Sequence, residues 1–316
     1  MTLTLTVRAA EWNRHVDQLA AAVDRLVPVV KGNGYGFGRG WLAQEAARRG
    51  ATEVAVGTIY EVDSVPPNHT AIVLTPSLEI PHDLRSNAVL TIGNFDHLHT
   101  AARHPGRGVL IKVRSSMNRY GVEPAAANAI AAEARTLGLL VRGFSIHPPR
   151  AGSSADHANE IERLIELIEP TAAVWVSHVD VSDYDRLRQR HAHREWNLRL
   201  GTALWHGDKS HFHLTADVLD VRPVSAGEIA GYRSEMIHEA GTLVTIGCGS
   251  AHGVAPLPDN LSPFHHARRR LVLVEPPHMH SSMCFVPHGD PVPAIGERID
   301  VQRPLITTAP DIVDWV

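Results

Sequence analysis

Lys31 stands directly after the apolar run Val27-Pro28-Val29-Val30 and before Gly32-Asn33-Gly34-Tyr35-Gly36-Phe37-Gly38, where glycine recurs at every second position. Small and β-branched residues in such a run form a strand buried on both faces, as in a parallel sheet. An ammonium at the end of that strand is costly to bury without a partner. Three fates are open to it. The amine snorkels to solvent, its pKa falls, or it condenses with a carbonyl compound to give an imine. The glycines let backbone approach a bulky or phosphorylated ligand closely.

The elements around Lys31 follow a regular plan. Apolar runs at 27–30, 53–57, 71–75, 88–92, 109–113, 140–146, 173–179 and 198–204 alternate with amphipathic segments at 9–26, 42–49, 125–137 and 158–168. Eight strands in βα alternation predict a closed parallel (β/α)8 barrel. The competing architecture, an open doubly wound sheet, places a dinucleotide-binding glycine motif after its first strand, with no lysine there. Functional groups of barrels collect at the C-terminal strand ends. Lys31 ends the first strand, Lys112 and Arg119 lie at or after the fifth, and His147 follows the sixth. Ser182 lies past the seventh, and Arg199 and Gly201 belong to the eighth. Polar residues scattered through core and surface would not gather at one end.

Beyond residue 211 the pattern becomes short alternating segments at 218–224, 243–246, 271–274 and 298–301, separated by turns with Gly and Pro. This predicts a mostly-β domain over 211–316 after a barrel domain over 1–210. At 316 residues, 44% hydrophobic and 20% charged, with no apolar run long enough to span a bilayer, the chain reads as a soluble cytoplasmic protein. Two cysteines, Cys248 and Cys284, suit a reducing compartment, and a net charge of −4 without a basic stripe gives no case for nucleic acid. Of the 21 histidines, His278 and His280 with Cys284 have a zinc-like spacing that is too loose to define a metal site.

The segment Val-Val-Lys-Gly-Asn-Gly-Tyr-Gly-Phe-Gly resembles the cofactor-lysine motif of the alanine racemase family, Val-Val-Lys-Ala-x-Ala-Tyr-Gly-His-Gly. The likeness continues in Lys112-Val113-Arg114-Ser115-Ser116-Met117-Asn118-Arg119-Tyr120-Gly121, in Phe144-Ser145-Ile146-His147 and in His178-Val179-Asp180-Val181-Ser182. It reappears in Arg199-Leu200-Gly201-Thr202-Ala203-Leu204-Trp205 and in Val224-Ser225-Ala226-Gly227-Glu228-Ile229-Ala230-Gly231-Tyr232. The resemblance implies pyridoxal 5'-phosphate as cofactor, an amino acid as substrate, and a homodimer whose barrel mouths are closed by the partner's β domain. It gives Lys31 as the imine lysine and one proton carrier. Tyr35, Ser182, Gly201 and Thr202 would serve the phosphate, Arg119 the phenolic oxygen, His147 the pyridine ring and Arg199 the pyridine nitrogen. Lys112, carbamylated in many relatives, and Arg119 would face substrate.

The pattern breaks where the family carries its second proton carrier, a tyrosine within Gly-Tyr-x-Asp-Gly. The stretch here is Gly247-Cys248-Gly249-Ser250-Ala251-His252-Gly253. One alignment puts Ser250 at the tyrosine and His252 at the aspartate, and another puts Cys248 at the tyrosine. Cys248, Ser250 and His252 are therefore the candidates for that role. Met279-His280 stands where the family has the Met-Asp whose backbone N–H receives the substrate carboxylate. The expected activity is amino-acid racemisation or epimerisation. The alternatives are decarboxylation, aldol cleavage or dehydration on the same fold, or cofactor binding with little catalysis.

Overall fold

The computed structural model describes residues 3–316. The chain divides into two compact units, one of residues 15–34 and 39–207, the other of 3–14, 35–38 and 208–316.

Strand β1 (Leu3–Val7) and helix α1 (Ala9–Ala22) open the chain. Eight strands then follow in order: β2 (Leu26–Pro28), β3 (Glu53–Val56), β4 (Thr70–Val73), β5 (Ala88–Ile92), β6 (Gly108–Lys112), β7 (Leu140–Ser145), β8 (Val174–Val176) and β9 (Trp196–Leu200). All pair in parallel, and a bridge between Val29 and Ala55 joins β2 to β3, which closes the sheet into a barrel. Each of the eight apolar runs overlaps one of these strands. The reason is double burial. All five residues of β5 are buried, and Val27, Val29, Ala55, Ile72, Val89, Leu110 and Trp175 fill the interior.

The helices between strands are α2 (Arg39–Arg48), α3 (Phe95–Ala102), α4 (Ala127–Thr136), α5 (Ser154–Ile165) and α6 (Val181–Arg190). Side chains start three of them. Asn94 accepts the His97 N–H at 2.9 Å, Ser153 and Asp156 form a capping box on α5, and Asp180 accepts the Asp183 N–H at 2.8 Å. The last apolar run, expected to stay extended to residue 204, instead breaks at Gly201 (φ −120°, ψ −93°) into the short helix α7 (Thr202–Trp205). Trp205 Nε1 donates to the Val29 carbonyl at 2.7 Å and holds that turn against the end of β2.

The second unit is built on β10 (Phe212–Val224), which pairs antiparallel with β1, with Gly241–Ile246 and with Arg298–Val301. Gly241–Ile246 carries Ser282–Pro287 on its other edge, and Ile312–Trp315 adds to β1 in parallel. Trp12, Phe37, Phe212 and Trp315 form an aromatic cluster with ring centroids 5.1–5.9 Å apart. No helix among the described residues is long and apolar enough to cross a membrane.

Candidate active site

The C-terminal ends of the barrel strands hold Lys31, Lys112, Arg119, His147 and Arg199, as the sequence pattern predicts. Lys31 follows Val30, whose N–H donates to the Ala55 carbonyl at 2.8 Å. Gly34 is required just beyond it. Its φ is +63°, and a Cβ there would lie 2.4 Å from the Arg39 nitrogen. Glu61 ties down both flanking loops, accepting the Gly57 N–H at 2.7 Å and the Gly32 N–H at 3.3 Å. Partial burial holds the Lys31 amine below its ordinary value, the Arg119 and Arg199 cations add to this, and Glu61 opposes it. An amine so shifted is a better nucleophile near neutral pH.

Lys112 ends β6 and is only 5% exposed. Its Nζ is buried with no hydrogen-bond partner among the described residues. Burial, then Arg199 and Arg119, push it well below the usual lysine value, with Glu160 as the opposing charge. That acid is committed to the loop after β6, accepting from Ser116 N at 2.6 Å and Ser116 Oγ at 2.9 Å. Ser115 Oγ donates to the His147 carbonyl at 2.6 Å, and the Tyr120 hydroxyl to the Leu74 carbonyl at 3.0 Å. Arg119, at the exposed end of this pinned loop, lies over the Tyr120 ring at 4.6 Å. Arg199, on β9, donates to the Ile146 carbonyl at 2.7 Å, while its Nε is another buried donor without a partner. Burial lowers its pKa to about 10, which leaves it charged at neutral pH.

The His147 Nδ1 is hydrogen-bonded to Ser177 Oγ, and its ring lies 4.5 Å from that of His178. Burial, then Arg199 and Lys112, hold His147 far below the usual imidazole range, so it is neutral. Ser182 is exposed in the first turn of α6, and its hydroxyl donates to the Asp180 carboxylate at 2.8 Å. Gly201 and Thr202 form the N-terminus of α7, whose first N–H groups have no helical carbonyl to reach. Tyr35, in the other unit, is buried in a left-handed conformation (φ 56°), and burial raises its hydroxyl to about 12.

Four cationic side chains thus share one field at the strand ends, with Glu61 and Glu160 as the acids that reach them. Two buried donors in that field are unpaired. Such a donor set fits a ligand carrying several anionic oxygens. Sequence reasoning missed His178, Ser177, Glu61 and Glu160. His178 stood inside a quoted motif, with φ +63° marking a special position, whereas no sequence spacing pointed to the two acids.

The C-terminal candidates divide sharply by access. Cys248 is fully buried and burial pushes its thiol up, with Cys284 and Asp311 adding to the rise. His252 Nδ1 accepts the Gly249 N–H at 3.1 Å and its Nε2 lies 3.2 Å from Asp311, so both ring nitrogens are engaged. Ser250 and Met279 are exposed, as is His280, and the two loops are joined by Ser250 N to His278 O at 2.7 Å and Ala251 N to Met279 O at 2.9 Å. Among the described residues, no group of three or more His, Cys, Asp or Glu side chains is disposed to hold a metal.

A parallel eight-stranded barrel with a lysine ending its first strand and a cationic mouth defines a barrel protein equipped to hold an anionic ligand beside an amine. Residues 8–208 match the family model described as "Alanine racemase, N-terminal domain", and the chain belongs to the alanine racemase family. An alanine racemase of Cereibacter sphaeroides is 28% identical over 280 residues, covering 83% of this chain and 76% of its own. Among solved structures, the alanine racemase of Bartonella henselae with covalently bound pyridoxal phosphate superposes with a TM-score of 0.69 at 20% identity, covering 96% of this chain and 91% of that one. The biosynthetic alanine racemase of Pseudomonas aeruginosa gives 0.69 at 17% identity, over 100% and 99% of the two chains. At these identities the structures establish the fold.

Proposed function

We propose that this chain is a cytoplasmic, homodimeric amino-acid racemase or epimerase that uses pyridoxal 5'-phosphate. Its barrel domain (1–210) would hold the cofactor and the C-terminal domain (211–316) of a partner would cover the site. The observation that carries the reading is the surplus of cations at the strand ends around Lys31, with Lys112 Nζ and Arg199 Nε buried and unpaired. Pyridoxal phosphate, when bound, supplies an aldehyde for the Lys31 amine and an electron sink that acidifies the α C–H of an attached amino acid.

The chain's own residues do the rest. Lys31, poised by its lowered pKa, would hold the cofactor's aldehyde end and carry the α-proton on one face. Arg199 keeps its charge and would meet the pyridine nitrogen without yielding a proton, which moderates the sink and favours simple proton return. Arg119 would donate to the phenolic oxygen, neutral His147 would line the ring, and Tyr35, Ser182 and the Gly201 and Thr202 N–H groups would serve the phosphate. Lys112, whose pKa burial lowers, is suited to take up carbon dioxide. A carbamate there forms an N–C bond, releases a proton, and places an anion in the field of Arg119 and Arg199. Met279 and His280 would lie toward the substrate carboxylate.

A second reading is decarboxylation, aldol cleavage, dehydration or weak catalysis. It draws support from the lack of a tyrosine in 247–253, together with the sealed Cys248 and the fully engaged His252. The test is α-proton exchange in deuterated water with both enantiomers of alanine, serine, glutamate and lysine. Exchange with inversion supports racemisation. Exchange without inversion, or release of carbon dioxide, aldehyde or ammonia, supports the second reading.

A further inference from the structure

The C-terminal unit contains a histidine–carboxylate pair, His278 and Glu275. Glu275 is buried, its side chain 2% exposed, and His278 Nε2 lies 2.6 Å from Glu275 Oε1. The same carboxylate accepts the Tyr232 N–H at 2.8 Å and the Arg233 N–H at 3.0 Å. The turn is shaped for it. Gly231 has φ +77°, and a Cβ there would lie 2.0 Å from Glu275 Oε1. Burial raises the Glu275 pKa, but the bonds from His278, Tyr232 and Arg233 outweigh it and hold the group below the usual value, so it stays ionised.

An ionised, fully bonded carboxylate fixes the tautomer of the imidazole it holds. His278 therefore carries its proton on Nε2 and presents Nδ1 as a base, and Nδ1 has no hydrogen-bond partner among the described residues. Its ring lies 4.4 Å from that of Tyr232, which is 86% exposed. The surface beside it consists of Met279, His280 and Ser250, all exposed, and the His278 carbonyl accepts the Ser250 N–H. The other two histidines of these loops are worse placed. His252 has both nitrogens engaged, and no ion pair with a carboxylate is found for His280 among the described residues.

We propose that His278, positioned by Glu275, is the proton carrier for the substrate face opposite Lys31, in place of the family tyrosine. This rests on the proposed racemase reading and on a partner's C-terminal domain covering the barrel mouth. In the step, the α C–H bond breaks and a bond from that hydrogen to Nδ1 forms. The electron pair stays with the substrate carbon, and Glu275 balances the imidazolium charge. Lys31 delivers a proton to the opposite face of that carbon, which completes inversion, and in the reverse direction Lys31 removes the proton and Nδ1–H supplies it.

Two measurements test it. The first is 15N spectroscopy of the imidazoles in protein without added cofactor. The expected result is a protonated Nε2 and bare Nδ1 at His278, with a mixed tautomer in Glu275→Gln. An Nδ1–H tautomer in the native protein overturns the proposal even if a variant fails to fold. The second compares racemisation with α-proton exchange for the four amino-acid pairs. His278→Gln is expected to lower racemisation about 10²- to 10⁴-fold, while exchange from the enantiomer served by Lys31 persists. Unchanged racemisation in that variant overturns the dyad alone, and equal loss from both faces reduces His278 to a structural role. A native protein silent toward all probes removes the racemase reading and this role with it.

Discussion

The two ends of the barrel treat charge in opposite ways. At the N-terminal end, a cavity of about 660 Å3 is lined by Arg25, Glu53, Arg142 and Glu195 among others. Its charges meet one another. Arg25 lies 3.0 Å from Glu195, Arg142 lies 3.4 Å from Glu53, and Trp175 Nε1 donates to Glu53 at 2.9 Å. At the C-terminal end, the cations outnumber the acids and two buried donors have no partner. Buried charge persists in a fold when it is paired or when something outside the chain completes it. The first end reads as a plug that stabilises the barrel, and the second as a receptor that costs stability until its ligand arrives. The cavity is therefore a poor guide to function.

Substitutions at the two ends should move stability in opposite directions. The larger effect is expected at the plug. Glu53→Ala leaves the buried Trp175 N–H without an acceptor, at a cost of about 2 kcal/mol, while the half-exposed Arg142 loses a partner at little cost. Urea unfolding of the cofactor-free protein at pH 7 measures it, and a loss below about 0.5 kcal/mol would dissolve the contrast. The smaller effect has the reverse sign. Lys112→Met keeps the side chain's shape and removes an unpaired amine, so the cofactor-free protein should gain about 1 kcal/mol in carbonate-free buffer at pH 7. Burial lowers the folded-state pKa of Lys112, so the unfolded chain binds the proton more tightly. Native stability should then rise with pH between that lowered value and the ordinary lysine value of about 10.4. The slope should flatten in Lys112→Met, and an unaltered slope would mean that the amine has a partner.

The barrel was legible because its strands are buried on both faces and so read as continuous apolar runs. Helix α6 was not, because only Tyr184 and Leu187 of its ten residues are buried and most of the rest is charged. Helix α3 was missed for a similar reason, being eight residues long with two histidines breaking its apolar stripe. The pairing of Leu3–Val7 with β10 joins segments about 200 residues apart, and alternation alone names no partner. Within the site, Lys31, Lys112, Arg119 and Arg199 announced themselves as cations on or beside buried strands. Glu61 and Glu160 did not, since an acid on an ordinary polar stretch carries no mark of what it will face. The His278–Glu275 pair was hidden for another reason. A spacing of three residues suggests a helix face, but these two meet across a loop beside Ser282–Pro287.

The central claim is that the cationic mouth exists to hold an aldehyde cofactor on Lys31. The direct test is to mix the protein with pyridoxal 5'-phosphate, reduce with borohydride, digest, and map the modified peptide by mass spectrometry, with Lys31→Ala as the control. The account predicts a single stoichiometric pyridoxyl group on Lys31 that disappears in the control. Label spread over surface lysines, or an unlabelled Lys31, would contradict it.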